Sequence, residues 1–196
     1  QRIKNDKLEY FKFDLKDIKK FKKFVDKNKK INTVDSFVSL TGYINSDNIL
    51  DTNIKSFYDH ININYLSNLI VIQKIIPYMS VKKFGRILLS SSTGIKFGGG
   101  KLTGLYSLTK YMNEFFFNNY KDFYKKNILI NALRIGVTNT KIHKNVKGKN
   151  LKKRVNLIPI GRMASTDEVA KYIYFYSSEI NSLTTNEIID ISGGEK

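Results

Sequence analysis

Short apolar runs separated by stretches of helical periodicity constrain this chain more than any other feature. Residues 34–40, 85–90, 127–134 and 187–191 are rich in Ile, Leu, Val and Phe, too short for full helices, and closed by Thr, Ser or Gly. Residues 8–14 alternate apolar and polar side chains and predict a further strand ending at Asp14. Between these runs, residues 17–30 place Ile18, Phe21, Phe24 and Val25 on one helical face with lysines opposite. Residues 54–79 predict one long helix. A helix carrying Tyr106 follows the Gly98-Gly99-Gly100 loop and takes in the aromatics from Phe115 to Tyr124. Another spans 166–177, with Thr166 as its cap. Strands alternating with helices in this way predict an α/β fold, a parallel sheet covered on both faces. No repeat or linker interrupts the pattern, which gives a single domain over residues 1–196.

Composition narrows the chemistry. With no cysteine, disulfides, thiolate metal sites and a cysteine nucleophile are excluded, and His60 and His143 alone are too few to build a histidine metal site. The longest near-apolar run, 69–79, is broken by Gln73, Lys74 and Pro77 and is too short to span a bilayer. The opening residues carry no apolar signal segment, so a cytoplasmic location is expected. A net charge of +17 points to anionic partners, with basic clusters at 16–30 and 141–154. Because the other lysines are scattered along the chain, anionic small molecules or an acidic carrier protein are favoured over nucleic acid.

Tyr106 and Lys110 stand four residues apart, fourteen residues after the end of the run Ser90-Ser91-Ser92. On a helix that spacing stacks a phenol and an ammonium on one face. A cation there favours phenolate and would draw the tyrosine pKa down, while a serine hydroxyl beside it would bind the same substrate oxygen. Together they form an acid/base device for a carbonyl/alcohol pair. The same spacing recurs at Tyr78 and Lys82, but no serine run precedes that pair at a suitable distance.

In order along the chain, these motifs resemble the short-chain dehydrogenase/reductase family. Val38-Ser39-Leu40-Thr41-Gly42 occupies the place of the family's Asn-Asn-Ala-Gly run. Asn64 keeps its interval to Gln73 and Pro77, and Gly85-Arg86-Ile87 leads to Ser91-Ser92 and then to Tyr106-x-x-x-Lys110. Gly136 to Thr140 resembles the Pro-Gly turn and its threonine. Gly161-Arg162, Asp167 to Ala170 and Gly193-Gly194 resemble the late signatures, nearest to the 3-oxoacyl-acyl-carrier-protein reductase branch.

The resemblance implies a Rossmann-type doubly wound sheet and an NAD(P)-dependent oxidoreductase, NADP or NAD alike. Tyr106 would be its proton donor, Lys110 would lower the phenol's pKa and bind the nicotinamide ribose, and Ser92, with Ser91 as rival, would hold the substrate oxygen. Asn64 would distort its helix and hold a water linked to Lys110. Asp14, Gly42, Gly136 and Thr140 would touch cofactor, with Thr140 also able to cap the following segment. The substrate would be a carbonyl or alcohol, anionic or carrier-bound, and the protein a homodimer or homotetramer paired through the Tyr106 helix. The residues after Thr140, where the family builds its substrate lid, are basic and point to a charged or polar substrate.

Departures are also visible. No Gly-rich phosphate turn precedes Asp14, which suggests that the first βαβ piece is missing from the chain. Ser39 and Leu40 replace the paired asparagines, and Ile135 replaces the turn proline. A non-catalytic binding or scaffold relative with a basic surface is the alternative.

Overall fold

The computed structural model describes residues 8–146, 148 and 150–195. Its centre is a four-stranded parallel sheet in the order β1-β2-β3-β4, formed by Ser36–Ser39, Gly85–Ser92, Ile128–Ile135 and Ile188–Ile191. The two middle strands are buried along most of their length, as continuous apolar runs require when both faces are covered.

Helices α1 (Ile18–Lys27), α2 (Ile54–Ile61) and α3 (Ser67–Lys82) precede β2. Helices α4 (Gly104–Tyr111) and α5 (Tyr120–Tyr124) separate β2 from β3, and α6 (Leu151–Val155) and α7 (Thr166–Ser177) separate β3 from β4. On one face, Ile72, Ile75 and Met79 of α3 and Tyr120 of α5 enclose Ile87, Leu89, Ile128 and Ile130, with Phe37 packed against them. Strand alternation turns Ser36 and its register partner Arg86 to the other face, where the Ser36 hydroxyl donates to the carbonyl of Ser177 at the end of α7. Arg86 is buried and bonds the carbonyls of Asn181, Gly85 and Asn127.

Four sequence expectations change. Residues 8–14 form no strand. A strand persists only by pairing, and Phe11 and Phe13 instead stack on Phe24, with Phe13 also against Phe21. The long helix predicted over 54–79 is interrupted by a π turn, Asn62–Leu66, and then runs on to Lys82. The helix of Tyr106 stops early. After the 3₁₀ turn Met112–Glu114, Phe115 is extended, so the aromatics up to Tyr124 belong to a turn and a separate helix. Finally, α7 is capped by Ser165 rather than Thr166. Ser165 Oγ accepts from the Glu168 amide while the Glu168 carboxylate accepts from the Ser165 amide. No helix of the described residues is long and apolar enough to cross a membrane.

Gly136 ends β3 where it approaches the chain leaving β4. A Cβ there would lie 2.8 Å from Ser192 Cα and 3.1 Å from the Ile191 carbonyl oxygen. Gly136→Ala is therefore expected to destabilise the fold by about 1–3 kcal/mol. Gly104→Ala, in the first turn of α4 with open space around it, is expected to stabilise by about 0.5–1 kcal/mol. Denaturant unfolding of the two variants gives the comparison; a Gly136→Ala midpoint equal to that of the parent would refute the close-approach argument.

Candidate active site

The carboxyl ends of β1, β2 and β3 open into a cavity of about 1180 Å³. Parallel sheets place ligands at that edge because loops and helix starts converge there. Gly42, Ser90, Ser91, Ser92, Tyr106, Lys110, Gly136 and Thr140 all line this one cavity.

Lys110 sits on the inner side of α4, 2% exposed. Its Nζ donates to the Thr41 carbonyl at 2.9 Å and to Ser90 Oγ at 2.7 Å. Both acceptors are neutral, and burial pulls the lysine down to about 7. The Tyr106 phenol, one turn earlier and half-buried, lies beside the Ser92 side chain. Burial raises its pKa, and the neighbouring Ser92 hydroxyl offsets part of that rise. The expected lowering of the phenol by Lys110 is thus not what this arrangement gives. Desolvation dominates the phenol's shift, and the amine is itself driven toward neutrality.

The three serines at the end of β2 have three different partners. Ser90 takes Lys110. Ser91 donates to Glu114 Oε1 at 2.6 Å, and Ser92 accepts from the Gly94 amide at 3.2 Å and meets Tyr106. Glu114 is buried and also grips Arg134 through two bonds, of 2.9 and 2.5 Å. One carboxylate therefore ties the end of β2, the segment following α4 and the end of β3.

Asn64 lies in the π turn and is fully buried, outside the cavity lining. Its Oδ1 accepts from the Tyr43 amide at 2.6 Å, and its Nδ2 donates to the Tyr43 carbonyl and to Thr109 Oγ1, both at 2.9 Å. Its own carbonyl accepts from Asn68 and Asn113, each at 3.0 Å. The asparagine makes no bond to Lys110. It braces Thr109, next to that lysine, against the loop whose Thr41 carbonyl holds it. The local helix distortion expected at this position is present as the π turn, whose added residue aims the amide at Tyr43.

Other predicted residues are placed less centrally. Asp14 is exposed in the turn before α1, accepts from the Lys16 amide and does not line the cavity. Thr140 lines it and makes no capping bond to the segment it precedes. Tyr78 and Lys82, the second pair at that spacing, end α3. There Lys82 bonds Asp35 at 2.6 Å and lies 5.9 Å from the Tyr78 ring centroid.

Among the described residues, the basic stretch after Thr140 brings both apolar and ionisable side chains to the cavity, His143 and Arg154 among them. Ile142, Val146 and Leu157 line it alongside Phe97 and Leu102, while Lys152 and Lys153 face solvent. Arg154 reaches it and is paired with Glu195. Lys147 and Lys149 lie outside the described residues. The aliphatic side chains in the lining offer room for an apolar substrate portion beside its polar and charged groups.

Ser90, the Thr41 carbonyl and Glu114 were not singled out by the sequence reading. Ser90 had a signal, its place in the serine run. Glu114 had one too, as the lone acid in the apolar stretch 111–117.

Burial of Lys110 has a measurable consequence. An unfolded lysine keeps its proton up to 10.5, whereas Lys110 releases it near 7. Folding thus releases a proton within that window, and rising pH favours the folded state. Relative to Lys110→Met, the parent protein is expected to gain about 1.4 kcal/mol of stability per pH unit from 7 toward 10.5. Parallel chemical denaturation curves across that range check it; a pH-independent difference would contradict the burial assigned to the amine.

The family model described as enoyl-(acyl carrier protein) reductase matches residues 1–196. The 3-oxoacyl-acyl-carrier-protein reductase of Buchnera aphidicola subsp. Schizaphis graminum is 30% identical over 190 residues, 94% of this chain and 76% of that protein. The Aquifex aeolicus reductase of the same name is 27% identical over 84% of this chain, and the match spans 66% of its own length. For the Thermotoga maritima one, 30% identical over 68% of this chain, the share is 54%. Among solved structures, ElxO with NADP bound superposes with a TM-score of 0.80 at 25% identity, covering 95% of this chain and 77% of that one. A 3-oxoacyl-(acyl-carrier-protein) reductase from Agrobacterium tumefaciens with NADP bound gives 0.80 at 22% identity, covering 92% of this chain and 72% of that one. With the family model matched over residues 1–196 and Ser92, Tyr106 and Lys110 lining one cavity, the chain belongs to the short-chain dehydrogenase/reductase family.

Proposed function

We propose that the protein is an NADP- or NAD-dependent oxidoreductase that interconverts a carbonyl and an alcohol. The observation that carries this reading is the convergence of Tyr106, Lys110 and Ser92 on one cavity at the carboxyl edge of the sheet. The relatives' names, and the NADP bound in two similar structures, support it.

The residues present fit the nicotinamide-ribose half of such a cofactor. Lys110 has three donors and spends two on Thr41 and Ser90, leaving one for a ribose hydroxyl. The Gly136 turn and Thr140 line the same cavity and would meet the nicotinamide amide. The buried Ser107 hydroxyl, also in the lining, has no protein partner. No Gly-rich turn of the phosphate-binding type precedes Asp14 among the described residues, and Asp14 stands apart from the cavity. When bound, the nicotinamide accepts or supplies the hydride.

The chain's own residues handle the proton. Ser92 holds the substrate oxygen against the phenol, and Tyr106 gives that oxygen its proton in reduction and removes it in oxidation. With its pKa raised by burial, the phenol rests protonated, the form in which reduction needs it, although the same shift makes it a weaker acid. Lys110 stabilises the phenolate that remains and orients the ribose. The aliphatic part of the cavity would take an acyl chain, and the basic exterior would face an acidic carrier. Leu108, Tyr111 and Phe115 remain exposed on and after α4, a surface suited to pairing with a second copy.

Tyr106→Phe removes the donor and keeps the ring. It is expected to cut turnover of a 3-oxoacyl substrate by about 10²–10⁴ while nucleotide binding persists. Spectrophotometric consumption of NADPH or NADH checks the first and quenching of nicotinamide fluorescence the second. Undiminished turnover in that variant would refute the assigned acid.

A further inference from the structure

We infer that Ser90 is a positioning residue for the lysine: with the Thr41 carbonyl, its hydroxyl fixes Lys110 Nζ so that one N–H stays turned to the cavity. This rests on the catalytic reading of Lys110 given above and adds a residue that the motif does not contain.

Three observations carry it. The Ser90 hydroxyl lies 2.7 Å from Nζ, and both side chains are buried, Ser90 at 6% and Lys110 at 2% exposed. Ser90 itself cannot drift. It pairs with Leu133 across β2 and β3, and its carbonyl accepts from Asn113 at 3.1 Å. The ammonium also has no carboxylate bonded to it. The elements packed around it offer Tyr106 from α4, Ser92 from β2, and Thr41 and Gly42 from the loop after β1. Glu114, the acid on the segment following α4, is committed to Arg134 and Ser91.

A hydroxyl differs from a carbonyl in one way that matters here. The Thr41 carbonyl can only accept, from an N–H of the ammonium or of the neutral amine, and it cannot serve the amine's lone pair. Ser90 accepts from the ammonium and, by turning its own proton, donates to the neutral amine. With Lys110 close to half-protonated near pH 7, the site passes through both forms. Ser90 is the contact that can reverse with the change, donating to the lone pair of the neutral amine, and it keeps Nζ in place while the amine and the phenol exchange charge. In the charged form Ser90 also supplies one of its two protein acceptors.

The test uses Ser90→Ala, Ser90→Cys and Ser90→Thr in the full chain. Cysteine keeps most of the volume and exchanges a strong acceptor for a weak one; threonine keeps the hydroxyl. The titration of Lys110 is followed by NMR of ¹³C-labelled lysine side chains, where the buried amine stands apart from lysines that titrate near 10. Loss of the acceptor is expected to lower the Lys110 midpoint by about one pH unit in the alanine and cysteine variants, with recovery in the threonine variant. Carbonyl-reductase activity should fall about tenfold in the same two variants, with its pH profile displaced by the same amount. A Lys110 midpoint unmoved in the cysteine and alanine variants would overturn the proposal, as would a threonine variant that behaves like alanine. The NMR readout does not need turnover, so a parent protein inactive with ketones would refute the oxidoreductase reading and leave the Ser90 result standing on its own.

Discussion

A primary amine held out of water among neutral acceptors is the constraint on which the rest of the site depends. Desolvating an ammonium is costly, and nothing with a full negative charge is bonded to Lys110 to offset it. The fold meets this cost with two oxygens, one from the backbone after β1 and one from the end of β2. Each must arrive within hydrogen-bond range for the amine to be tolerated at all. Sheet register, the start of α4 and the loop after Ser39 are therefore set together.

The bracing around those two oxygens is built from uncharged amides. Asn64 holds the Tyr43 backbone and Thr109, while Asn68 holds Ser39 and Thr41 and reaches Asn113. Asn113 in turn reaches the carbonyls of Asn64 and Ser90. In this way Ser39, placed where the family resemblance expects asparagine, still takes part in a buried hydrogen-bonded network. Polar groups buried at this density are tolerated because their partners lie within the network. An interruption in α2 and α3 is what brings Asn64 into it: a regular α-helix through residues 62–66 would not place the amide against Tyr43.

Much of this was legible in the sequence and some was not, for physical reasons. The middle strands were readable because their apolar runs are short, rich in Ile and Leu and closed by Ser or Gly, which suits a covered strand better than a buried helix. The tyrosine, lysine and serine were readable because their chemistry fixes their spacing on a helix and at a strand end. Residues 8–14 misled because alternation reports a face, while a strand also needs a neighbour to bond. The break after Tyr111 was hidden because Phe115, Phe116 and Phe117 suit a helix by pattern and a turn by packing. The partners of the lysine were hidden for a different reason. Thr41 contributes a backbone carbonyl, which every residue has, and Ser90 stood beside two hydroxyls that competed for attention. The sign of the phenol's shift needed burial, which no spacing reports.

The carboxylate of Glu114, shared by Ser91 and both arms of the Arg134 guanidinium, ties together the ends of two strands and the segment following α4. Its charge is cancelled on the spot by the arginine, so beyond a few ångströms the clamp has only the weak field of a dipole. It is electrically quiet yet mechanically stiff. Motion that separates β2 from β3 would therefore reach the phenol as a displacement of its helix, and only faintly as a change in potential.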